Sequence, residues 1–396
     1  GILGTGLGDI NVYTGNLSAV TGGTTGAAWG INTQSTSNAA DGNADEIVIN
    51  TLGTVAGRQG ILAINSGKDL GGAGVGDTID IQTSQASATV TASDGDGIRA
   101  TGAAGNIRVA VNGNVTATGT TQSANGIKAS SSLGGNIDVQ VANNSKVLSN
   151  GATGADGVKA ATTNGGNISM RIFNSNANGQ ITGATDGIDT SVTGSNGTTT
   201  IDTRNGLTDS ATISTVTGNA GDGITAFTSG NGLITIDAAR TTGQGAASNQ
   251  SNGIKAVSTG GSTINVTTRG SVTGDTTGSA SLTGARGISA DTSGGNGSVT
   301  VTTNPTTNVV GGTINGGNYG IFASSVGTGS TTVTVNAGTN VVTGGVLANL
   351  NATGPVGVFA KGGDGGVGSQ TTTTVIAGGN ITANNGRAIV TNSADN

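Results

Sequence analysis

The sequence predicts an all-β protein, a right-handed parallel β-helix of about eleven to twelve coils, with roughly 33 residues and three short strands in each coil. A recurring tetrapeptide and an unusual composition carry this prediction. Gly accounts for 76 of the 396 residues, whereas Phe, Trp and Tyr together make up 2%. Because so few large side chains cannot fill a wide core, we expect a narrow core of aliphatic residues.

The tetrapeptide Gly-(Ile/Val)-x-(Ala/Thr) predicts the first strand of each coil. Successive copies begin 29 to 37 residues apart, a period too short for an array of immunoglobulin-like sandwiches, whose modules need about 100 residues. The aliphatic second residue should face the core, and the variable third residue should face solvent. The copies start at Gly30, Gly60, Gly97, Gly126, Gly157, Gly187, Gly223, Gly253, Gly287, Gly320 and Gly357.

Two further runs predict the second and third strands. Branched and polar residues alternate in the second run, as in Ile137-Asp138-Val139, and a third run such as Val115-Thr116-Ala117 precedes the next tetrapeptide. This period of two is typical of strands, and strands that recur once per repeat should stack in parallel. We expect one continuous solenoid over residues 1–396, with a partial coil at 1–29, repeats at 30–386 and a tail at 387–396.

Composition argues against several other classes of protein. Collagen would need Gly at every third position and abundant Pro, but Pro occurs twice. Charged residues make up 9% and aliphatic residues recur regularly, which argues against disorder. A net charge of −6 and a pI near 4.5 disfavour nucleic acid as a partner. The chain contains no apolar run of about 18 residues, so we expect no direct membrane insertion of this segment.

The repeats resemble a known group of bacterial surface proteins. The segments Gly-Ile-Lys-Ala from Gly126, Gly-Gly-Asn-Ile-Asp-Val from Gly134, and Val-Thr-Gly from Val272 look like the β-strand repeats of type V autotransporter passenger domains and related large adhesins. The resemblance covers almost the whole chain. It implies an extracellular location at the bacterial surface, attached to the outer membrane through another part of the protein or released, and a rod-like stalk or adhesive fibre. No serine-protease nucleophile motif is found, which argues against proteolysis.

The chain contains no His and no Cys, which excludes Ser-His, Cys-His and imidazole–zinc chemistry from this sequence alone. We therefore predict a non-catalytic structural or adhesive surface protein. The expected partners are a cell-surface polysaccharide, a component of a host surface, or other copies of the chain. A polysaccharide lyase or hydrolase is the alternative, because β-helix enzymes can work with carboxylates and Arg or Lys contributed by adjacent coils.

No cofactor is predicted, but two acidic segments are candidates for structural Ca²⁺. The first provides alternating oxygen ligands at Asp41, Asn43 and Asp45, although Leu52 occupies the twelfth position, where a calcium loop carries Glu. The second is the pair Asp94 and Asp96. Both segments also fit ordinary solvated turns, because Asp-Gly pairs form sharp corners and recur at other repeats.

The variable position of the tetrapeptide supplies two candidate binding surfaces. In three consecutive coils it is Arg99, Lys128 and Lys159, a column of cations that could meet an anionic polysaccharide or could be neutralised by neighbours such as Asp138. In the last two copies it is Phe322 and Phe359, with Tyr319 just before Gly320. These aromatic residues could contact a sugar or a partner, or could stack as a stabilising ladder.

Alternating Val and Thr, as at Val299–Thr302, raise the further alternative of ice binding. That activity would need an unbroken row of Thr along the rod. Charged residues interrupt the row in the N-terminal half, which argues against this alternative. The outward residues of the second strands are expected to be Asp80, Arg108, Asp138, Ser169, Thr235, Asn265, Thr300 and Thr334.

Overall fold

The computed structural model is a parallel β-solenoid with three strands in each coil. Coils of about 32 residues and three parallel sheets confirm the predicted fold class. The described residues contain no helix, and thus none with the length and hydropathy needed to cross a bilayer. The structure describes residues 1–23, 25–26, 28–36, 45–67, 78–119, 124–142, 144–151, 154–173, 180–203, 215–245, 251–275, 285–303, 312–343, 355–363, 371–384 and 386–392.

The strands are short and follow one another in a fixed order. The N-terminal strands are β1 (Ile2–Gly6), β2 (Ile10–Thr14), β3 (Ala19–Thr21), β4 (Trp29–Ser35), β5 (Glu46–Thr51), β6 (Thr54–Gly57), β7 (Gln59–Asn65), β8 (Thr78–Thr83), β9 (Thr89–Ala92), β10 (Ile98–Gly102), β11 (Ile107–Val111) and β12 (Asn114–Ala117). The central strands are β13 (Ile127–Ser131), β14 (Ile137–Val141), β15 (Lys146–Ser149), β16 (Val158–Thr163), β17 (Ile168–Ile172), β18 (Gln180–Gly183), β19 (Ile188–Thr193), β20 (Thr199–Asp202), β21 (Thr215–Gly218), β22 (Ile224–Thr228), β23 (Ile234–Ala238) and β24 (Arg240–Gly243). The C-terminal strands are β25 (Ile254–Ser258), β26 (Ile264–Thr268), β27 (Val272–Thr273), β28 (Arg286–Thr292), β29 (Val299–Thr303), β30 (Thr313–Gly316), β31 (Tyr319–Ser324), β32 (Thr331–Val335), β33 (Asn340–Thr343), β34 (Val356–Lys361), β35 (Thr373–Ala377), β36 (Asn380–Ala383) and β37 (Arg387–Asn392).

Every third strand joins the same sheet. Over the described residues, the first sheet runs from β1 through β4 to β37 and has 13 strands, and the second and third sheets, which begin with β2 and β3, have 12 strands each. In residues 1–29, expected as a partial coil, β1, β2 and β3 supply one strand to each sheet, and Trp29 begins β4. Residues 387–392, in the expected tail, form β37 and pair with β34.

The core consists of aliphatic columns that follow the sheet register. Ile98 of one coil pairs with Ile61 of the coil before and with Ile127 of the coil after, and all three are fully buried. The alternation of buried and partly exposed residues along each strand places every second side chain inside. This stacking of Ile, Val and Ala explains how a chain with so few aromatic residues fills its interior.

The glycine that opens the tetrapeptide is required by a close approach between coils. A Cβ atom on Gly126 would lie 2.5 Å from Cγ1 of Val147 in the third sheet and 2.6 Å from the carbonyl oxygen of Gly157 in the next coil. Since real Cβ atoms do not approach other atoms so closely, a larger residue would push neighbouring coils apart. The repeated glycine therefore marks the corner where the chain enters the first sheet.

Candidate functional site

The cationic column, which we define as Arg99, Lys128 and Lys159, lies on the outer side of the first sheet. Arg99 pairs in register with Lys128, and Lys128 pairs with Lys159. Leu62 precedes the column and Asp189 follows it. The sequence therefore placed these three cations correctly, one above the other and roughly 4.8 Å apart along the rod.

Two carboxylates neutralise one member of the column. Nζ of Lys159 lies 2.9 Å from Oδ2 of Asp156 and 2.6 Å from Oδ2 of Asp189. Burial lowers the pKa of Lys159, but Asp189 and Asp156 outweigh this effect, so the pKa lies above its usual value. Asp138, which was expected to neutralise the column, instead belongs to the second sheet and pairs with Arg171 at 3.4 Å. The expectation that Asp138 neutralises the column was wrong, because strands that follow each other in sequence belong to different sheets and face different sides of the rod.

The other two cations of the column, Arg99 and Lys128, lack an ion-pair partner in the described part of the chain. The Nε atom of Arg99 is buried and has no hydrogen-bond partner in the protein. In the described part of the chain, the cations that lie within ion-pair distance of a carboxylate include Arg58, Arg108, Lys159, Arg171, Lys255 and Arg269.

The acidic candidates for calcium are engaged in contacts within the protein. Asp94 forms an ion pair with Arg58 at 2.5 Å. Asp96 is buried, and its Oδ1 atom accepts hydrogen bonds from the backbone N–H and the Nδ2 group of Asn125. These contacts support the interpretation of Asp94 and Asp96 as residues of ordinary turns. Among the described residues, no group of three or more Asp or Glu is arranged to hold a metal ion.

Of the other three calcium candidates, the structure describes only Asp45. Asp41 and Asn43 lie outside the described residues. Asp45 is buried, and its backbone carbonyl oxygen accepts hydrogen bonds from Nδ2 of Asn65 and from the N–H of Thr78. Asp45 therefore helps to join two coils through its backbone.

The aromatic stack consists of Tyr319, Phe322 and Phe359. The rings of Phe322 and Phe359 are 5.1 Å apart and nearly parallel, and Tyr319 meets both rings edge-on. The guanidinium of Arg286 lies 3.7 Å from the centroid of the Phe322 ring. Burial lowers the pKa of Arg286, although Tyr319 and Asp291 oppose this effect. Because Arg286 and Phe359 both lie against Phe322, this geometry favours the stabilising ladder over a free sugar platform.

The second sheet carries a shallow polar groove in the N-terminal half of the rod. The groove has a volume of about 420 Å³, and its lining includes Asp80, Arg108 and Asp138 from three successive coils. Arg108 lies 3.2 Å from Asp80. Such a carboxylate–arginine lining was the feature expected of a polysaccharide-active enzyme, but both carboxylates accept hydrogen bonds from Arg and Gln side chains.

The outer side of the same sheet becomes rich in Thr in its C-terminal half. Thr300 pairs with Thr332, whereas Thr334 pairs with Thr302 and so belongs to the adjacent row. The expected position of Thr334 was therefore wrong by two residues, because the buried Thr331 takes the place that Val299 has one coil earlier. The row of outward Thr residues is interrupted by Asp80, Arg108 and Asp138 in the N-terminal half, at the positions predicted from the sequence.

The structure also shows a vertical row of stacked Asp and Asn side chains, which we call the Asx column. The sequence indicated these residues only as parts of separate turns. In six consecutive repeats the residue before the tetrapeptide glycine is Asp or Asn, and its Oδ1 atom accepts a hydrogen bond from the backbone N–H of the equivalent residue one coil later, over 2.6 to 3.1 Å. The recurrence of Asp or Asn before Gly was the available signal. The members of this column are Asp96, Asn125, Asp156, Asp186, Asp222 and Asn252.

Comparisons with known proteins identify no family for this solenoid. No family model matches the chain. A search of curated proteins finds no match, and a search of solved structures finds none. The fold and the outer faces of the three sheets are therefore the basis for any functional argument.

Proposed function

We propose that this chain is a non-catalytic, extracellular rod of a bacterial surface protein, of the autotransporter-passenger or adhesin kind, and that it binds an acidic polysaccharide through Arg99 and Lys128. The observation that supports this proposal is that Arg99 and Lys128 lie one coil apart on the same sheet, and neither has a carboxylate partner among the described residues. Like charges held one coil apart repel each other unless an anion lies against them. An acidic polysaccharide supplies such anions at regular intervals.

The direction of the column suggests how the polysaccharide lies. Arg99 and Lys128 follow each other along the rod axis, so a linear polyanion would run parallel to that axis. The guanidinium of Arg99 can bind a carboxylate or sulfate through two donors, and Lys128 acts as a point charge beside it. Lys159 is already occupied by Asp156 and Asp189 and would contribute little.

The double substitution Arg99→Gln with Lys128→Gln tests this site. We expect affinity for polygalacturonate or alginate to fall by about 2- to 30-fold, since two partly exposed charge contacts are each worth roughly 0.2 to 1 kcal/mol. The matched control is Lys255→Gln, which changes a cation of the same outward row that lies 3.7 Å from Asp222. Biolayer interferometry at low and high salt measures the affinities, with dextran as the neutral probe.

Three outcomes would contradict the proposal. The first is no binding of the wild-type chain to either acidic polymer, and the second is an equal loss in the Lys255→Gln control. The third is the appearance of unsaturated or reducing ends during incubation, abolished by Asp80→Asn. This last result would identify the polar groove as a catalytic site and make the chain an enzyme.

A further inference from the structure

The outer side of the second sheet carries a second surface, the planar-polar face, where β8, β11, β14 and β17 lie side by side. Its outward side chains mostly end in amides, carboxylates or guanidinium groups. It is distinct from the cationic column, which belongs to the first sheet. The members of the face are Asp80, Gln82, Asn106, Arg108, Ala110, Asn136, Asp138, Gln140, Asn167 and Arg171.

Two depressions lie on this face. The polar groove of about 420 Å³ follows Asn106, Asn136 and Asn167, and a second depression of about 270 Å³ forms around Ala110. Ala110 lies between Gln82 of the coil before and Gln140 of the coil after. Because the Ala side chain is so much shorter than its neighbours, it leaves a notch in the sheet surface. The larger depression is in the size range of small-ligand sites.

Hydrogen bonds within the protein fix the orientation of the Asn amides. Oδ1 of Asn106 accepts from the N–H of Asn136, and Oδ1 of Asn136 accepts from the N–H of Asn167. Oδ1 of Asn167 accepts from the N–H of Thr198. With each oxygen engaged, the Nδ2 groups are left as donors, and none has an acceptor among the described residues.

Acceptors and an aromatic ring complete the face. Asp80 and Asp138 carry carboxylates, and the side chain of Gln140 donates to Asp138, which leaves its Oε1 atom as a further acceptor. Phe173 lines the notch beside Ala110 and is 38% exposed. The face therefore combines fixed donors, acceptors and one exposed apolar ring.

We propose that the planar-polar face binds a short neutral oligosaccharide. Sugar hydroxyls donate and accept hydrogen bonds at once, which matches alternating amide and carboxylate groups, and the apolar C–H face of a pyranose ring can pack on Phe173. Arg108 and Arg171 pair with Asp80 and Asp138, so the face offers little net charge to attract an ion. This site is independent of the binding of acidic polysaccharide at Arg99 and Lys128.

Calorimetric titration of the whole chain with maltohexaose, cellohexaose, xylohexaose and mannohexaose tests the proposal. We expect at least one of these probes to bind, and Phe173→Ala to weaken that binding by about tenfold or more, since the ring supplies the apolar contact. The matched control is Leu233→Ala. Leu233 is 39% exposed and directly precedes β23 of the second sheet, farther along the rod.

The outcomes separate this inference from the proposed function. Binding that is lost in Phe173→Ala but kept in Leu233→Ala and in the Arg99/Lys128 double variant supports a separate neutral-sugar site. The inference is overturned if none of the four oligosaccharides binds, or if both alanine variants weaken binding equally. Either negative result leaves the acidic-polysaccharide test unaffected. A circular dichroism spectrum of each variant confirms that the β-solenoid is intact.

Discussion

Three consecutive carboxylates, those of Asp156, Asp186 and Asp222, stand one coil apart in the Asx column. Burial raises the pKa of Asp186 to about 7, and the charges of Asp222 and Asp156 add to this effect. Burial also raises the pKa of Asp156, although Lys159 offsets part of the rise. At neutral pH the column therefore holds partly buried like charges, of which the central one lacks a cation of its own among the described residues.

The pH dependence of folding stability should report the state of Asp186. Its folded pKa lies above the ordinary value of 3.8, so the folded chain binds more protons than the unfolded chain between about pH 4 and pH 7, and stability falls as the pH rises through that window. We expect Asp186→Asn to raise the free energy of unfolding by roughly 1 to 2 kcal/mol at pH 8 and to change it little at pH 4. Urea unfolding at both pH values measures the difference.

The reverse substitution is the control for this prediction. Asn already occupies the equivalent position at Asn125 and Asn252, where its Oδ1 atom accepts the same backbone hydrogen bond. Asn125→Asp adds a carboxylate next to Asp96 and Asp156, so it should destabilise the chain at neutral pH. An Asp186→Asn variant that is destabilised equally at both pH values would show that packing, not charge, governs this column.

Among the elements, β28, β31 and β34 are joined on their outer side by side chains as well as by backbone hydrogen bonds. Phe322 lies between the guanidinium of Arg286 and the ring of Phe359. We expect Phe322→Ala to lower the free energy of unfolding by about 1 to 3 kcal/mol, because it removes a ring–ring and a cation–ring contact but little core volume. Phe227→Ala, on the outer side of β22, is the matched control.

A binding role for the aromatic stack would give the opposite pattern. Guanidinium unfolding curves and polysaccharide affinities should be measured on the same Phe322→Ala protein. If its stability is unchanged and its affinity is lost, the stack is a binding platform and the ladder interpretation is wrong. If its stability falls and its affinity is kept, the stack is structural.

The first-sheet strands could be predicted from sequence almost residue by residue, because the tetrapeptide contains its own register. Only glycine fits the crowded corner at its first position, and the aliphatic residue at its second position is buried in the core. The second sheet was less certain at β32, where Thr332 and Thr334 both point outward in one alternation, and the pairing of Thr331 with Val299 decides that Thr332 continues the row of Thr300. The register depends on how a strand pairs with its neighbours, and the sequence of one strand does not contain that information.

The candidate sites were predictable only in part, for a related reason. The cationic column follows from one position of the repeat, but the partners of Lys159 depend on which carboxylates reach the same face. The notch beside Phe173 needs Ala110 between two Gln residues from other coils. Contacts between coils bring together residues about 30 positions apart, and each side chain must also point outward for the site to form.

For the whole molecule, the sheet order implies that stability is distributed along the rod. Among the described strands, each pairs only with its counterparts in the preceding and following coils. A coil in the middle of the rod therefore contacts its two neighbours directly, and it is coupled to more distant coils only through those neighbours. Proteins built this way have stabilities that approximate a sum of coil and interface contributions.

A core substitution should therefore act locally. Ile137 of β14 is 1% exposed, and Ile137→Ala should cost about 2 to 5 kcal/mol through lost burial and a residual cavity. Native-state hydrogen exchange should show reduced protection in β11, β14 and β17, with β29 and β32 unchanged, because no strand pairing connects those regions directly. Ile236→Ala in β23, also fully buried, should move the affected region to β20, β23 and β26. A uniform loss of protection along the chain in both variants would instead show that all coils unfold as one cooperative unit.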